Sequence, residues 1–317
     1  MVKKMSMLKL TPAGKDYLWG GTRLITEYKK QFTWNKLAET WELSCHPDGP
    51  CTIAEGEFAG KTLSEYIAAK GNSILGTKCQ HMEQFPLLIK FIDAKMDLSI
   101  QVHPSDEYAL KHEGQYGKTE VWYIMDCQPG AFIYYGFKES ISKEEFARRI
   151  QDKTLLEVLN KVEVKKGDVF FIEPGTIHAI GSGNLIAEIQ QNSNVTYRVY
   201  DYGRVGADGK ERELHIDKAK DVTKCIPPRS NYDFGSHLVS CDYFTVDKFV
   251  LDGKTKGKMS GNVDSTSFAS ILVLGGEGTI QSGGEVLEVK KGDSIFVEAG
   301  TGEFQVIGEL EMLVTRV

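Results

Sequence analysis

Residues 162–181 read VEVKKGDVFFIEPGTIHAIG, and residues 287–308 read LEVKKGDSIFVEAGTGEFQVIG. The two align at a constant offset of 125 residues, with Lys165 on Lys290, Gly167 on Gly292, Asp168 on Asp293, Gly175 on Gly300 and Thr176 on Thr301. KKGD describes a tight turn. The lysines end a strand, glycine supplies dihedrals closed to other residues, and aspartate can bond its own backbone. An apolar strand follows, and the chain turns again at PGT or AGT. Two copies of one strand–turn–strand–turn cassette imply two similar β domains. The copies part at one position: His178 in the first is Glu303 in the second.

The rest of the chain reads the same way. PLLIKFIDA, LSIQVHP, EVWYIMD, GAFIYYGF, NLIAEIQQ and VTYRVYDY are rich in β-branched and aromatic residues and bounded by Gly, Pro, Asp or Asn. So are FTVDKFVLDG, ASILVLGGEG, GTIQSGG and EMLVTRV. Many short strands with 32 glycines in 317 residues point to a mainly β sandwich or barrel. Three segments have helical signals: TLSEYIAAKG (62–71), SDEYALKHEG (105–114) and a run that opens on the capping pair Ser142 and Glu145. The last predicts a helical insertion over about 137–161, inside the first β domain. The proline-bearing polar stretch at 225–236 breaks the pattern, so the expected division is 1–235 and 236–317.

A chain of this length accommodates two domains of about 100–200 residues each. A net charge of -6 argues against nucleic acid as the main partner, while leaving room for a local cationic cluster that holds a phosphorylated small molecule. None of the six cysteines forms a CxxC pair, which speaks against a thiolate zinc site and for buried thiols in a reducing compartment. The first residues carry lysines but no apolar run of signal-peptide length, and no stretch approaches the roughly 18 apolar residues of a membrane span. A cytoplasmic location without a membrane partner is the expectation, with the chain as a monomer or homodimer.

The first cassette's GDVFFIEPGTIH resembles the second motif of the cupin fold, a double-stranded β-helix or jelly-roll barrel. In that motif the histidine ends a PxGxxH turn and points into the barrel. Here the proline, Pro174, lies one place late, and Ser182 replaces a frequent asparagine. The first cupin motif uses HxH and a later glutamate, where this chain has Gln101-Val102-His103. Residues two apart on a strand face one side, so Gln101 and His103 can reach the same ion. Glu120 opens the next strand and offers a carboxylate. Together with His178 these make two nitrogens and two oxygens, a set suited to Zn²⁺ and acceptable to other divalent metals. Taken singly, each of these residues has a duller reading: His103 before a proline as a turn residue, Glu120 as surface charge. Their coincidence at strand edges favours a site.

Larger motifs carry a more specific resemblance. QVHP, GKTEVWYI, PGTIHAIG and NVTYRVYDYGR, preceded by KDYLWGG and AETWELSCHPDG, resemble the type I mannose-6-phosphate isomerase family in its short bacterial form. The likeness runs along essentially the whole chain, in family order. It implies one zinc ion per chain, held by Gln101, His103, Glu120 and His178, and a hexose 6-phosphate as substrate. It implies catalytic roles for Arg198, Lys118 and Glu188, and substrate-binding roles for Ser99 and Lys90. The histidine that some longer relatives have just before the lysine is Gly117 here, so the ring-opening group is left without a candidate.

The residue types suit that chemistry. Moving a proton between C1 and C2 through a cis-enediol needs a placed base and stabilisation of developing negative charge. A metal with an open position and an arginine meet the second need. Lys118 and Glu188 are the candidate proton carriers, and Lys118 alternatively holds phosphate with Ser99. Two further readings are a cupin metal-dependent oxygenase and a non-catalytic sugar-phosphate binding protein. Glutamine in place of a ligand histidine argues against the oxygenase.

Overall fold

The computed structural model describes residues 6–206, 209–254 and 257–317, so residues 1–5 of the lysine-bearing N-terminus lie outside the described residues. The first strands are β1 (Met7–Thr11), β2 (Ala13–Lys15), β3 (Glu39–Ser44), β4 (Thr52–Ile53), β5 (Leu87–Ala94), β6 (Ile100–Val102) and β7 (Glu120–Cys127). β8 (Phe132–Phe137), β9 (Leu159–Glu163), β10 (Val169–Ile172), β11 (His178–Ile180), β12 (Asn184–Gln191) and β13 (Tyr197–Tyr200) follow. The last are β14 (Val239–Ser240), β15 (Thr245–Leu251), β16 (Lys258–Val263), β17 (Ala269–Ser282), β18 (Glu285–Lys290), β19 (Ser294–Val297) and β20 (Gly302–Arg316). The helices are α1 (Arg23–Thr26), α2 (Leu63–Lys70), α3 (Asp106–His112), α4 (Lys143–Gln151) and α5 (Ile216–Val222).

The strands form three antiparallel sheets. One runs β10-β7-β12-β5-β3-β2 and a second β13-β6-β11-β8-β9. These two enclose the first barrel. Alternation along β7 shows how: Val121, Tyr123 and Met125 belong to a core on the outer side, whereas Trp122 and Ile124 pack toward the barrel interior. The outer side of the five-stranded sheet is covered by the helices, with Phe146, Leu155 and Ala219 against Ile100, Val102 and Val199.

The third sheet has nine strands and holds the second cassette. Its strand pairing does not follow the 235/236 division, because β1 pairs with β19 and β4 with β1. The N-terminal strand therefore completes the C-terminal sheet. Glu303, the counterpart of His178, is exposed on β20 opposite Asn262.

Some elements differ from expectation. A helical insertion is expected over about 137–161. Its helix is only α4 with a short turn at Leu155–Glu157, since Phe137 still belongs to β8 and Leu159 already pairs in β9. ASILVLGGEG and GTIQSGG are one strand, β17, which passes its glycines by an irregularity in register between Val273 and Gly275. Glycine there marks a bulge rather than a turn. All six cysteines are free thiols, and no described helix is long and apolar enough to cross a membrane.

Candidate active site

Two rows of side chains face each other inside the first barrel. In the five-stranded sheet Gln101 lies between His178 on β11 and Arg198 on β13. In the six-stranded sheet the row is Trp122, Glu188, Lys90 and Trp41, on four successive strands. Directly opposed residues in an antiparallel pair share a face. The period of two then adds His103 beyond the end of β6 and Glu120 at the start of β7.

The two imidazoles meet where the rows converge. His103 Nδ1 donates to the Val195 carbonyl at 2.8 Å, and His178 Nδ1 donates to the Thr176 carbonyl at 2.8 Å. A carbonyl only accepts, so both Nε2 atoms are left without a proton. They face each other at 3.2 Å. Glu120 brings Oε1 to 3.4 Å from His178 Nε2 and Oε2 to 3.7 Å from His103 Nε2. The Gln101 amide lies 3.5 Å from His178 Nε2, and turning the amide over presents its oxygen. His103, Glu120 and His178 each offer a donor atom within 4.8 Å of the others, and all three are buried. Two facing lone pairs and a buried carboxylate answered only by Lys118 are costly without a further cation. The donor set, with nitrogens fixed by backbone carbonyls, fits a divalent metal such as zinc.

Electrostatics agree with that arrangement. Burial pushes the His178 imidazole down to about 4 and drives His103 well below its usual range, so both rings are neutral. Burial, then the nearby Glu188, raises the Glu120 carboxyl, against the pull of Lys118. Burial acts the same way on Glu188, but Lys118 and Lys90 outweigh it and hold that carboxyl below the usual carboxylate range. Lys118 Nζ lies 2.9 Å from Glu120 and 3.6 Å from Glu188, and Lys90 Nζ lies 3.1 Å from Glu188. The Trp122 indole donates to Glu188 at 2.9 Å. One string of alternating charge thus joins the histidine pair to Lys90. Arg198 donates to Ser99 Oγ at 3.2 Å and to the Glu213 carbonyl at 3.0 Å.

A cavity of about 380 Å³ opens onto this string. Its walls include Ser99, Gln101, Lys118, Glu188, Lys90 and Arg198. A larger cavity of about 560 Å³ lies beside α2, lined by Cys45, His46 and Gln115 among others, and none of the residues above belongs to it. Size does not locate the chemistry here; converging charge does.

Comparison with known proteins gives the family of the chain. The family model described as "Phosphomannose isomerase type I, catalytic domain" matches residues 7–123, and "Mannose-6-phosphate isomerase, cupin domain" matches residues 235–317. Mannose-6-phosphate isomerase ManA of Bacillus subtilis is 40% identical over 315 residues, covering 96% of this chain and 97% of that protein. The chain belongs to the type I phosphomannose isomerase family. The crystal structure of the mannose 6-phosphate isomerase from Bacillus subtilis superposes with a TM-score of 0.90 at 34% identity, over 99% of this chain and 100% of that one. A solved mannose 6-phosphate isomerase bound with zinc and yttrium has a TM-score of 0.76 at 17% identity, over 98% and 99%, and shares the fold.

Within this phosphomannose isomerase family member all nine residues singled out in the sequence gather in the one barrel. Several that line the cavity had no assigned role: Tyr17, Trp19, Glu39, Thr196 and Arg212. Tyr17, Trp19 and Glu39 sit in KDYLWGG and AETWELS, motifs that carried the resemblance as whole strings. Arg212 had no local signal. It reaches the cavity because Asp201 accepts from its Nε at 2.7 Å and its Nη2 at 2.6 Å. At Gly117 a Cβ would lie 2.4 Å from the backbone of Ser105 and Asp106. The first turn of α3 occupies the space a side chain needs.

Proposed function

We propose that this protein interconverts mannose 6-phosphate and fructose 6-phosphate, with one zinc ion held by Gln101, His103, Glu120 and His178. The observation that carries the proposal is the unbroken charge string from the paired histidine Nε2 atoms through Glu120, Lys118 and Glu188 to Lys90. It joins a metal-type donor set, of which Gln101 lines the cavity, to two proton-carrying groups and a cation for phosphate in the cavity wall. Family membership supports the same reaction, as does zinc in a solved isomerase of the same fold.

When bound, the zinc ion supplies positive charge that stabilises negative charge on the sugar oxygens. The chain's own residues do the rest. Lys118 and Glu188 act as the proton-transfer couple. They take the proton from C2 and return it to C1, while the proton on O2 passes to O1 by way of the cis-enediol. Arg198 is fixed by Ser99 and the Glu213 carbonyl and offers donors where charge develops. Ser99 and Lys90 bind substrate. Residues 1–235 form the catalytic unit in this reading, and 236–317 a cupin-like unit without metal ligands.

The oxygenase and pure-binding readings are not favoured. Gln101 takes the place of a ligand histidine, and the string includes groups that a passive binder does not need. A coupled assay of mannose 6-phosphate conversion, before and after chelation and zinc add-back, tests the proposal. Turnover that falls on chelation and returns with zinc is expected; no turnover by the metal-loaded protein sinks it.

A further inference from the structure

The second cassette belongs to the nine-stranded sheet, yet its KKGD turn reaches into the catalytic half. Lys30 Nζ donates to the Gly292 carbonyl at 2.5 Å and pairs with both oxygens of Glu42, at 2.6 and 2.7 Å. Thr40 Oγ1 donates to Glu42 at 2.6 Å, and Ser294 Oγ donates to the Glu42 carbonyl at 3.0 Å. Glu42 is fully buried and Lys30 is only 8% exposed. A charge pair this deep holds only when its partners are complete.

Glu42 is also where β3 leaves register. Trp41 pairs with Lys90 and Leu43 with Ile89, so Glu42 is an extra residue on its strand. A bulge bends its strand and re-aims the neighbouring side chains. Those neighbours are Glu39 and Trp41. The Trp41 indole donates to Glu39 at 2.7 Å. Lys90 Nζ lies 3.9 Å from the Glu39 carboxylate and 5.2 Å from the centre of the Trp41 ring. The bulge's side chain and its carbonyl are both answered from outside the barrel, one by Lys30 and one by Ser294.

We propose that the turn at 292–294 of the second cassette, acting through the Lys30–Glu42 pair, holds the β3 bulge that aims Glu39 and Trp41 at Lys90. Lys30, Glu42 and Ser294 are then positioning residues for substrate binding, with Ser294 supplied by the C-terminal unit, which has none of the metal ligands. This assignment rests on the isomerase reading and gives the repeated turn a task of its own. The Gly292 carbonyl and the Ser294 hydroxyl are the partners that the bulge requires.

The test replaces the pair with apolar residues, Lys30→Met with Glu42→Met, so that no charge is left buried alone. Metal content and melting temperature close to wild type are expected, with kcat/KM down about 10-fold, mainly through KM. The same pair change in a Glu39→Gln background is expected to alter kcat/KM less than about 2-fold, because the route through Glu39 is already cut. An undiminished loss in that background, or no loss in the wild-type background, overturns the proposal. Should the double variant fail to fold, Ser294→Ala removes one hydrogen bond and is read in the same two backgrounds, with the same outcomes deciding. Hydrogen exchange across 39–44 gives a readout free of activity. Faster exchange in the Lys30→Met/Glu42→Met or Ser294→Ala variant is expected, and unchanged protection overturns the coupling. Wild-type protein that fails to turn over mannose 6-phosphate sinks the isomerase reading instead, leaving the exchange result to decide the coupling.

Discussion

His178 shows how one side chain is committed to a task by its neighbours. Its Nδ1 is spent on Thr176, burial keeps the ring neutral, and only Nε2 faces His103 and Glu120. His178→Ala is expected to lose metal and turnover together, by metal analysis beside the coupled assay. Arg198→Ala is expected to keep the metal and lose about 10²–10³ in kcat, the usual cost of removing a donor to developing charge; normal turnover would refute its role. Asp201 makes a different prediction. Burial raises its carboxyl, but Arg212 and Arg204 outweigh that and lower it below the ordinary 3.8. A depressed folded-state value means stability that is present above the unfolded pKa and lost as pH falls through the folded one. Asp201→Asn is therefore expected to cost about 1–3 kcal/mol at neutral pH. The gap to wild type should close as pH drops below about 4, measured by denaturant titration at several pH values. At this scale the sequence disclosed what obeys a spacing rule. Gln101 and His103 are two apart on a strand, and His178 ends a recognisable turn. Glu39 and Arg212 obey none. β3 is buried at every position, so alternation cannot pick out its inward side, and Arg212 is delivered by a loop contact.

At the scale of elements, the KKGD cassettes were legible because their turn chemistry is local. The continuity of β17 was not, because a glycine reads alike in a turn and in a bulge. Gly276 has φ +78, and a Cβ on it would sit 1.8 Å from the Glu309 carbonyl, so β17 runs on past it against β20 where the pattern suggested a stop. The insertion at 137–161 was overread for a related reason. The capping pair correctly marks the start of α4, where Ser142 Oγ accepts from Glu145 N, but pairing with β8 draws the later residues into β9. Gly117 joins element packing to the site. Its amide donates to Asp106 Oδ1 at 2.7 Å, and the next residue, Lys118, donates its amide to the Pro104 carbonyl at 3.0 Å. The start of α3 thereby sets where the lysine enters β7. Gly117→Ala forces backbone apart and is expected to destabilise the fold by about 1–3 kcal/mol. An unchanged urea midpoint would mean that α3 gives way without cost.

Across the whole molecule, the donor residues tie together strands that the backbone leaves separate. Gln101 and His103 come with β6 and His178 with β11, from the five-stranded sheet, whereas Glu120 comes from the six-stranded one. Without a metal this junction carries two opposed lone pairs and a carboxylate answered only by Lys118, so it is destabilised where the sheets meet. Metal binding must then report as stability. Free metal at about 100 times its dissociation constant adds about 2.7 kcal/mol. At roughly 2–4 °C per kcal/mol for a sizeable chain, that is about 5–10 °C of melting temperature. Chelation is expected to remove this increment and zinc to restore it. His178→Ala, which lacks the donor, should melt at the same temperature with or without chelator. Hydrogen exchange should localise the change. Residues 100–103, 120–127 and 178–180 are expected to lose protection on chelation, while β17 and β20 keep theirs, because the nine-stranded sheet closes around its own core. An equal loss throughout 269–316 would show that the two halves unfold as one unit, and would move the metal's contribution from one junction to the fold at large.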